Sequence, residues 1–407
     1  MEAHDGDALR SFWRRRRRAI VITAIGALAV VAIARLLHSD ETPVTNALYE
    51  QPEPLAGGPP GAILRSEAVS RPPSGSKAFR ILYLSRSYTG RPAALSALLF
   101  VPDRPAPVTG RNVVALTHGT VGVARECAVS SGRSFFAHLD GFERFMRAGY
   151  AVVVPDDEGL GTRGPHPYLV GAATAHATLD AVRATRRFKP AGASARFIAW
   201  GVGQGGHAAL FTGQEADTYA PELELAGVAA GAPATGLRRL LQTNRDTTFG
   251  RVLAAYTLAT WSRVYPQLRL ERILSRPARE VVGQVSRLCL PADHGALEAA
   301  LGGQSVQLTY RTRQPWNTQP WRGLLDRNSP GATAIPVPVI VTQGADDRVV
   351  LPALTARFVR RLCRQGTTVQ YRPSRRVAHV DLGEKTSPYV SKWIVGRFAG
   401  KRARSSC

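Results

Sequence analysis

Lysine is almost missing. Of 53 basic residues only Lys77, Lys189, Lys385, Lys392 and Lys401 are lysine, so the formal charge of +23 rests on arginine. Outside the N-terminus those arginines are scattered among apolar runs without the aromatic interleaving of a nucleic-acid surface, which sets nucleic acid aside as a partner. A charge of this sign remains compatible with an anionic membrane or cell-envelope surface. The nine histidines show no metal-ligand spacing, so neither metal nor cofactor is expected. No internal repeat is visible, which removes repeat architectures. Cysteine is scarce: Cys127, Cys289, Cys363 and Cys407 are an even set that can pair in an oxidising space, and spacing favours none of the three connectivities. A further absence bears on function. The stretch W-G-V-G-Q-G-G-H-A-A-L, Trp200 to Leu210, has the build of a turn that presents a catalytic serine, yet Gly203 stands at the nucleophile position.

The N-terminus is specific. Trp13 and the block Arg14 to Arg18 precede an apolar run from Ala19 to Ala34, followed by Arg35, Leu36 and Leu37. A basic block before an apolar run keeps the N-terminus inside and delivers the rest across the membrane. The run is slightly short for a span, but Leu36 and Leu37 extend it while Arg35 snorkels to the interface. Ala32-Ile33-Ala34 also resembles a signal-peptidase site. The expectation is a basic cytoplasmic stretch over 1–18 and a transmembrane signal-anchor or signal peptide over 19–37. The following domain is then extracytoplasmic, membrane-anchored through that segment or secreted after cleavage.

Residues 38–76, with Q-P-E-P-L-A-G-G-P-P-G, read as a Pro/Gly-rich linker to a domain over 77–407. F-R-I-L-Y-L-S and A-A-L-S-A-L-L-F-V-P predict an early hairpin. Buried strands are predicted over 112–117, 150–155, 195–200, 225–231, 337–342 and 368–372, with a helix near Thr174 to Phe188. Continuous apolar strands separated by helices predict an α/β fold, a mostly parallel sheet covered on both faces. The strand rhythm stops over about 235–325, where L-R-R-L-L-Q, R-V-L-A-A-Y-T-L-A-T-W and G-A-L-E-A-A-L predict a helical insertion placed to cap a pocket.

An open parallel sheet binds ligands at the carboxyl ends of its strands. After the strand ending at Trp200 comes the elbow. After Thr342 comes Q-G-A-D-D-R-V-V, where Asp347 is placed as an acid, and after the last strand comes S-R-R-V-A-H-V-D, with His379 as the base. Nucleophile site, acid, histidine is the α/β-hydrolase order. T-H-G-T-V-G follows the 112–117 strand, so the amide of Thr120 or Val121 joins that of Gln204 as a candidate oxyanion hole.

With these segments, and with V-V-P-D-D-E-G-L-G-T-R-G-P-H-P-Y-L-V-G and G-V-A-A-G-A-P-A-T, the chain resembles the secretory lipase family of α/β-hydrolases, the group that holds the fungal lipase A type. The resemblance runs from about residue 77 to the C-terminus. It implies hydrolysis of carboxylic esters, with a lipid or ester ligand, and gives Asp347 and His379 the acid and base roles. It also implies the disulfides Cys127–Cys289 and Cys363–Cys407, the first closing a loop whose chain-entropy stabilisation is about 4 to 5 kcal/mol. The chain departs from that family at Gly203, where the family has serine, and at Val202, where such elbows often carry histidine. Without an oxygen at 203 no acyl-enzyme forms. Thr120, Ser130 and Ser131 lie near the oxyanion-side loop, but none sits where the elbow aims an oxygen at His379. Three readings follow: a lipase or carboxylesterase by descent, weak, inactive or active through a substitute group; a catalytically inactive membrane-anchored protein that binds lipid or acyl chains; and a working lipase into which the glycine was introduced.

Overall fold

The computed structural model describes residues 47–55, 57–132, 139–290, 306, 308–311 and 313–407. The N-terminal basic block, the apolar segment over 19–37 and the predicted helix G-A-L-E-A-A-L lie outside them. Among the described residues no helix is long and apolar enough to cross a membrane.

Nine strands form one sheet in the order β1-β2-β3-β5-β4-β6-β7-β8-β9. The hairpin is β2 (Ser76–Arg86) and β3 (Pro92–Pro102), paired antiparallel along their whole length. β4 (Arg111–Thr117), β5 (Ala151–Pro155), β6 (Ala193–Val202), β7 (Glu224–Gly231), β8 (Val339–Gly344) and β9 (Val369–Ser374) run parallel to one another. Every residue of β5 and β8 is buried, and their stretches A-V-V-V and V-I-V read as apolar runs for that reason.

The boundary of the linker is corrected by β1 (Ile63–Ala68), which pairs antiparallel with β2. Upstream of it Leu48 and Tyr49 are buried against Leu82 and Ala94, so the chain from residue 47 onward packs on the domain. β1 is an edge strand whose residues are half-buried or exposed, and such a strand carries little apolar signal.

Helices cover both faces. One face holds α1 (Phe142–Ala148) and the C-terminal helix Leu382–Phe398; the other holds α2 (Gly171–Arg187) and α3 (Gln204–Tyr219). Between β7 and β8 the chain leaves the sheet for α4 (Leu237–Thr243), α5 (Thr248–Val264), α6 (Arg276–Val285) and α7 (Trp321–Arg327). These share an apolar cluster of their own with Tyr168, Leu169 and Val170, centred on Trp261, whose ring stacks on Trp321 at 6.3 Å. After β8 comes α8 (Pro352–Arg364), and the helix Leu382–Phe398 is α9.

Two disulfides are present. Cys363–Cys407 holds the tail to α8, and Ser406 N–H donates to the Val369 carbonyl at 2.7 Å. Cys127–Cys289 closes 162 residues and ties the loop after β4 to the insertion, where Gly122 bridges Cys289 and Leu290 N–H donates to the Val121 carbonyl at 2.8 Å. Replacing Cys127 and Cys289 together by serine is expected to cost about 5 kcal/mol in the chain-entropy account. Thermal unfolding of that variant checks this, and an unchanged midpoint would show that the backbone pairing alone holds the loop.

Candidate active site

The site begins with a close approach. Thr117, last residue of β4, donates its hydroxyl to the carbonyls of Trp200 at 3.0 Å and Gly205 at 2.8 Å, and a Cβ at Gly205 would collide with the Thr117 carbonyl oxygen. Only glycine fits there, and the contact sets the start of α3 against the exit of β4. Between β6 and α3 stands Gly203 at φ +60° and ψ −114°, a region that side chains adopt only under strain. Its N–H donates to the Gly231 carbonyl at 2.9 Å, and its own carbonyl accepts from His207 at 3.0 Å and Ala234 at 3.2 Å. The turn is therefore fixed from three directions.

His379 stands over this turn. A Cβ built on Gly203 would lie 3.1 Å from His379 Nε2 and 3.5 Å from Cε1. The other ring nitrogen, Nδ1, is 2.7 Å from Asp347 Oδ2, with the carboxylate side chain fully buried. Asp347 is held in turn: Oδ1 accepts the N–H groups of Val349 at 2.9 Å and Val350 at 2.8 Å, and Oδ2 accepts Gln343 Nε2 at 3.2 Å. Gln343 is fixed by the Thr355 hydroxyl, which donates to its Oε1 at 2.6 Å. The x-Val-Val after Asp347 thus supplies two backbone donors that hold the carboxyl group oriented toward the imidazole.

The three residues expected to form the oxyanion hole lie on two segments, Gln204 at the start of α3 and Thr120 and Val121 in the loop after β4. Gln204 is the first residue of α3, so its N–H has no partner within the helix. Its side chain donates to Asp157 Oδ2 at 2.8 Å, a carboxylate just after β5. Thr120 shares a hydrogen bond of 2.9 Å with the Tyr168 hydroxyl, and Val121 is engaged with the insertion through its carbonyl. The neighbouring hydroxyls point elsewhere. Ser130 Oγ lies 2.8 Å from the Tyr49 hydroxyl, and Ser131 Oγ donates to the Ala128 carbonyl at 2.7 Å.

Sequence reasoning missed the polar frame around these groups: Gln343, Asp157 and Tyr168. The run D-D-E directly after β5 was the available signal. Beside Asp157, burial pushes the Glu158 carboxyl up to about 7, although it accepts the Tyr88 N–H at 2.9 Å. His207 is buried in α3 and burial pulls it down to about 4; its Nε2 faces the Asn328 carbonyl at 2.8 Å, a structural contact.

Residues 141–406 match the family model of the secretory lipases. The chain belongs to the secretory lipase family. Lipase A of Arthroderma benhamiae is 22% identical over 396 residues, covering 90% of this chain and 81% of that one. A Mycobacterium tuberculosis protein named "Probable inactive lipase" is 24% identical over 397 residues, covering 88% of this chain and 83% of its own. Candida antarctica lipase A in its closed state superposes with a TM-score of 0.76 at 19% identity, over 90% of this chain and 88% of that one. The fold of this lipase-family chain is thus the α/β-hydrolase type with a large, mostly parallel sheet.

At Gly203 this lipase-family turn carries the one residue that tolerates the conformation freely. Gly203→Ser reintroduces strain of roughly 1–3 kcal/mol, and the imidazole must also yield by a few tenths of an ångström to its Cβ. Differential scanning fluorimetry is expected to show a melting temperature a few degrees lower. An unchanged or raised value would mean that residue 203 is not on a strained turn.

Proposed function

We propose that this chain keeps the ester-binding part of a lipase site and lacks its nucleophile, so that it holds a lipid or other carboxylic ester without acyl-enzyme turnover. One observation carries this reading. The backbone at 203 has the elbow conformation and directs a Cβ to 3.1 Å from His379 Nε2, yet glycine brings no oxygen there. Asp347 orients His379, His379 is a base without a hydroxyl to deprotonate, and the amides of Thr120 or Val121 with Gln204 receive a carbonyl oxygen. The helical insertion over about 235–325 serves as the cap. The lipase relatives support an ester of a fatty acid as the ligand class, and the relative named an inactive lipase supports loss of turnover within this family.

The magnitude is large. Removing the nucleophile from a serine hydrolase costs on the order of a million-fold in turnover, about 8 kcal/mol of barrier, and leaves roughly a thousand-fold over water from the oxyanion hole and binding. A second reading is favoured by the intact 2.7 Å contact between His379 and Asp347: direct deprotonation of a water by His379. For location, Arg14 to Arg18 before the apolar run, together with two disulfides, support export, with the domain anchored through residues 19–37 or released from the membrane.

The test is an assay on short- and long-chain nitrophenyl esters. The natural chain is compared with Gly203→Ser, with His379→Ala made in each background. The expected outcome is turnover in Gly203→Ser alone, abolished by His379→Ala. Ester hydrolysis by the natural chain that disappears with His379→Ala would replace this reading with the water mechanism.

A further inference from the structure

One edge of the sheet carries charge of a single sign. Between Asp347 and Asp381 the chain has eight arginines and no carboxylate. Three of them, Arg357, Arg360 and Arg364, form an exposed stripe on α8, because residues three and four apart share a helix face. The opposite side of α8 packs Phe358, Val359 and Leu362 into the core. Three other helices hold arginines that are paired, Arg147 with Glu143, Arg183 with Asp180 and Arg276 with Glu280. The α8 stripe has no ion-pair partner among the described residues. The helix dipole accounts for Arg364, in the last turn. Arg357 and Arg360 lie before that turn, and like charges at this spacing repel one another.

The basic edge runs toward the site. α8 starts beyond the carboxyl end of β8, and the exposed Arg375 and Arg376 follow the carboxyl end of its neighbour β9. Two exposed carboxylates, Asp346 and Asp381, stand at this rim with Arg348, Arg375 and Arg376, while Glu384 is paired with Lys385 at 3.9 Å. A second observation is apolar. Val380, next in the chain after His379, is 51% exposed, one of three large apolar side chains so exposed among the described residues. The aromatic residues of α8 and β9 are turned away from solvent, Phe358 buried and Tyr371 half-buried against the core, so neither offers a base a ring to stack on. An arginine stripe with an apolar tip fits a lipid surface instead. Guanidinium forks match headgroup phosphates, and the valine reaches the acyl boundary.

We propose that the α8 stripe, with Arg375, Arg376 and Val380, docks the domain on an anionic phospholipid bilayer. Docking lays the loop that carries His379 against the lipid. The surface uses none of the groups assigned to the Gly203 centre, so it stands or falls independently of the ester-binding reading.

Fluorescence of the full chain tests it. The four native cysteines are paired with one another, so Val380→Cys gives a single thiol for an environment-sensitive nitrobenzoxadiazole label. Val108→Cys is the reference, fully exposed before the amino end of β4 and so at the opposite end of the parallel strands. Each is mixed with vesicles of phosphatidylcholine, alone or with about 30% phosphatidylserine. The Val380 label is expected to shift to the blue with the anionic vesicles only, and the Val108 label with neither. Arg357→Gln with Arg360→Gln is expected to lower the docked-to-free ratio about tenfold, from the loss of two charges at the surface. Arg144→Gln with Arg147→Gln, on α1 over the other face of the sheet, is expected to change it by less than about twofold. No shift at Val380, equal shifts with both vesicles, an equal shift at Val108, or equal loss in both pairs would overturn the proposal. A Val380 shift with polyglutamate and none with vesicles would also overturn it, assigning the face to an acidic protein.

Discussion

The contact between the end of β4 and the start of α3 is what the rest of the site depends on. Because the Thr117 carbonyl lies against Gly205, β6 has no room for a gradual exit and must reverse at one residue. That residue is Gly203, and the reversal places its Cβ direction under His379 and the first amide of α3 beside it. The same contact brings the chain leaving β4, at Thr117 and His118, against the first turn of α3. Packing inside the sheet thus fixes the geometry of the chemistry above it.

On this frame two demands have separated. The strained turn, the oriented imidazole and the buried carboxylate are all present, and Asp347 alone is held by two backbone N–H groups and a glutamine. Holding them is costly to a fold, since a buried carboxylate needs every one of those donors. The side chain that would use them is absent. Glycine at 203 adopts the turn without the strain a side chain would bring there, while the contact between His379 and Asp347 stands beside it.

Much of this was legible because the sheet is parallel and doubly covered. Buried strands such as V-P-V-I-V-T and Y-A-V-V-V-P announce themselves as apolar runs, and a glycine cluster after one of them marks a sharp turn. Asp347 and His379 could be picked out from their position after strands, although 32 residues separate them and only the fold brings them to 2.7 Å. What was not legible has physical causes too. β1 is a half-exposed edge with no apolar run, and the anchoring of Leu48 and Tyr49 depends on a groove made by β2 and β3. The frame of Gln343, Asp157 and Tyr168 consists of single polar residues whose partners are far away in the chain.

Treatment of the full chain with a fluorophosphonate, followed by intact-mass and peptide analysis, tests the central claim most directly. The natural chain is predicted to remain unlabelled, and the Gly203→Ser variant to gain one adduct in the peptide carrying position 203. A stoichiometric adduct on the natural chain that is lost with His379→Ala would show that another nucleophile serves this site, and would contradict the account.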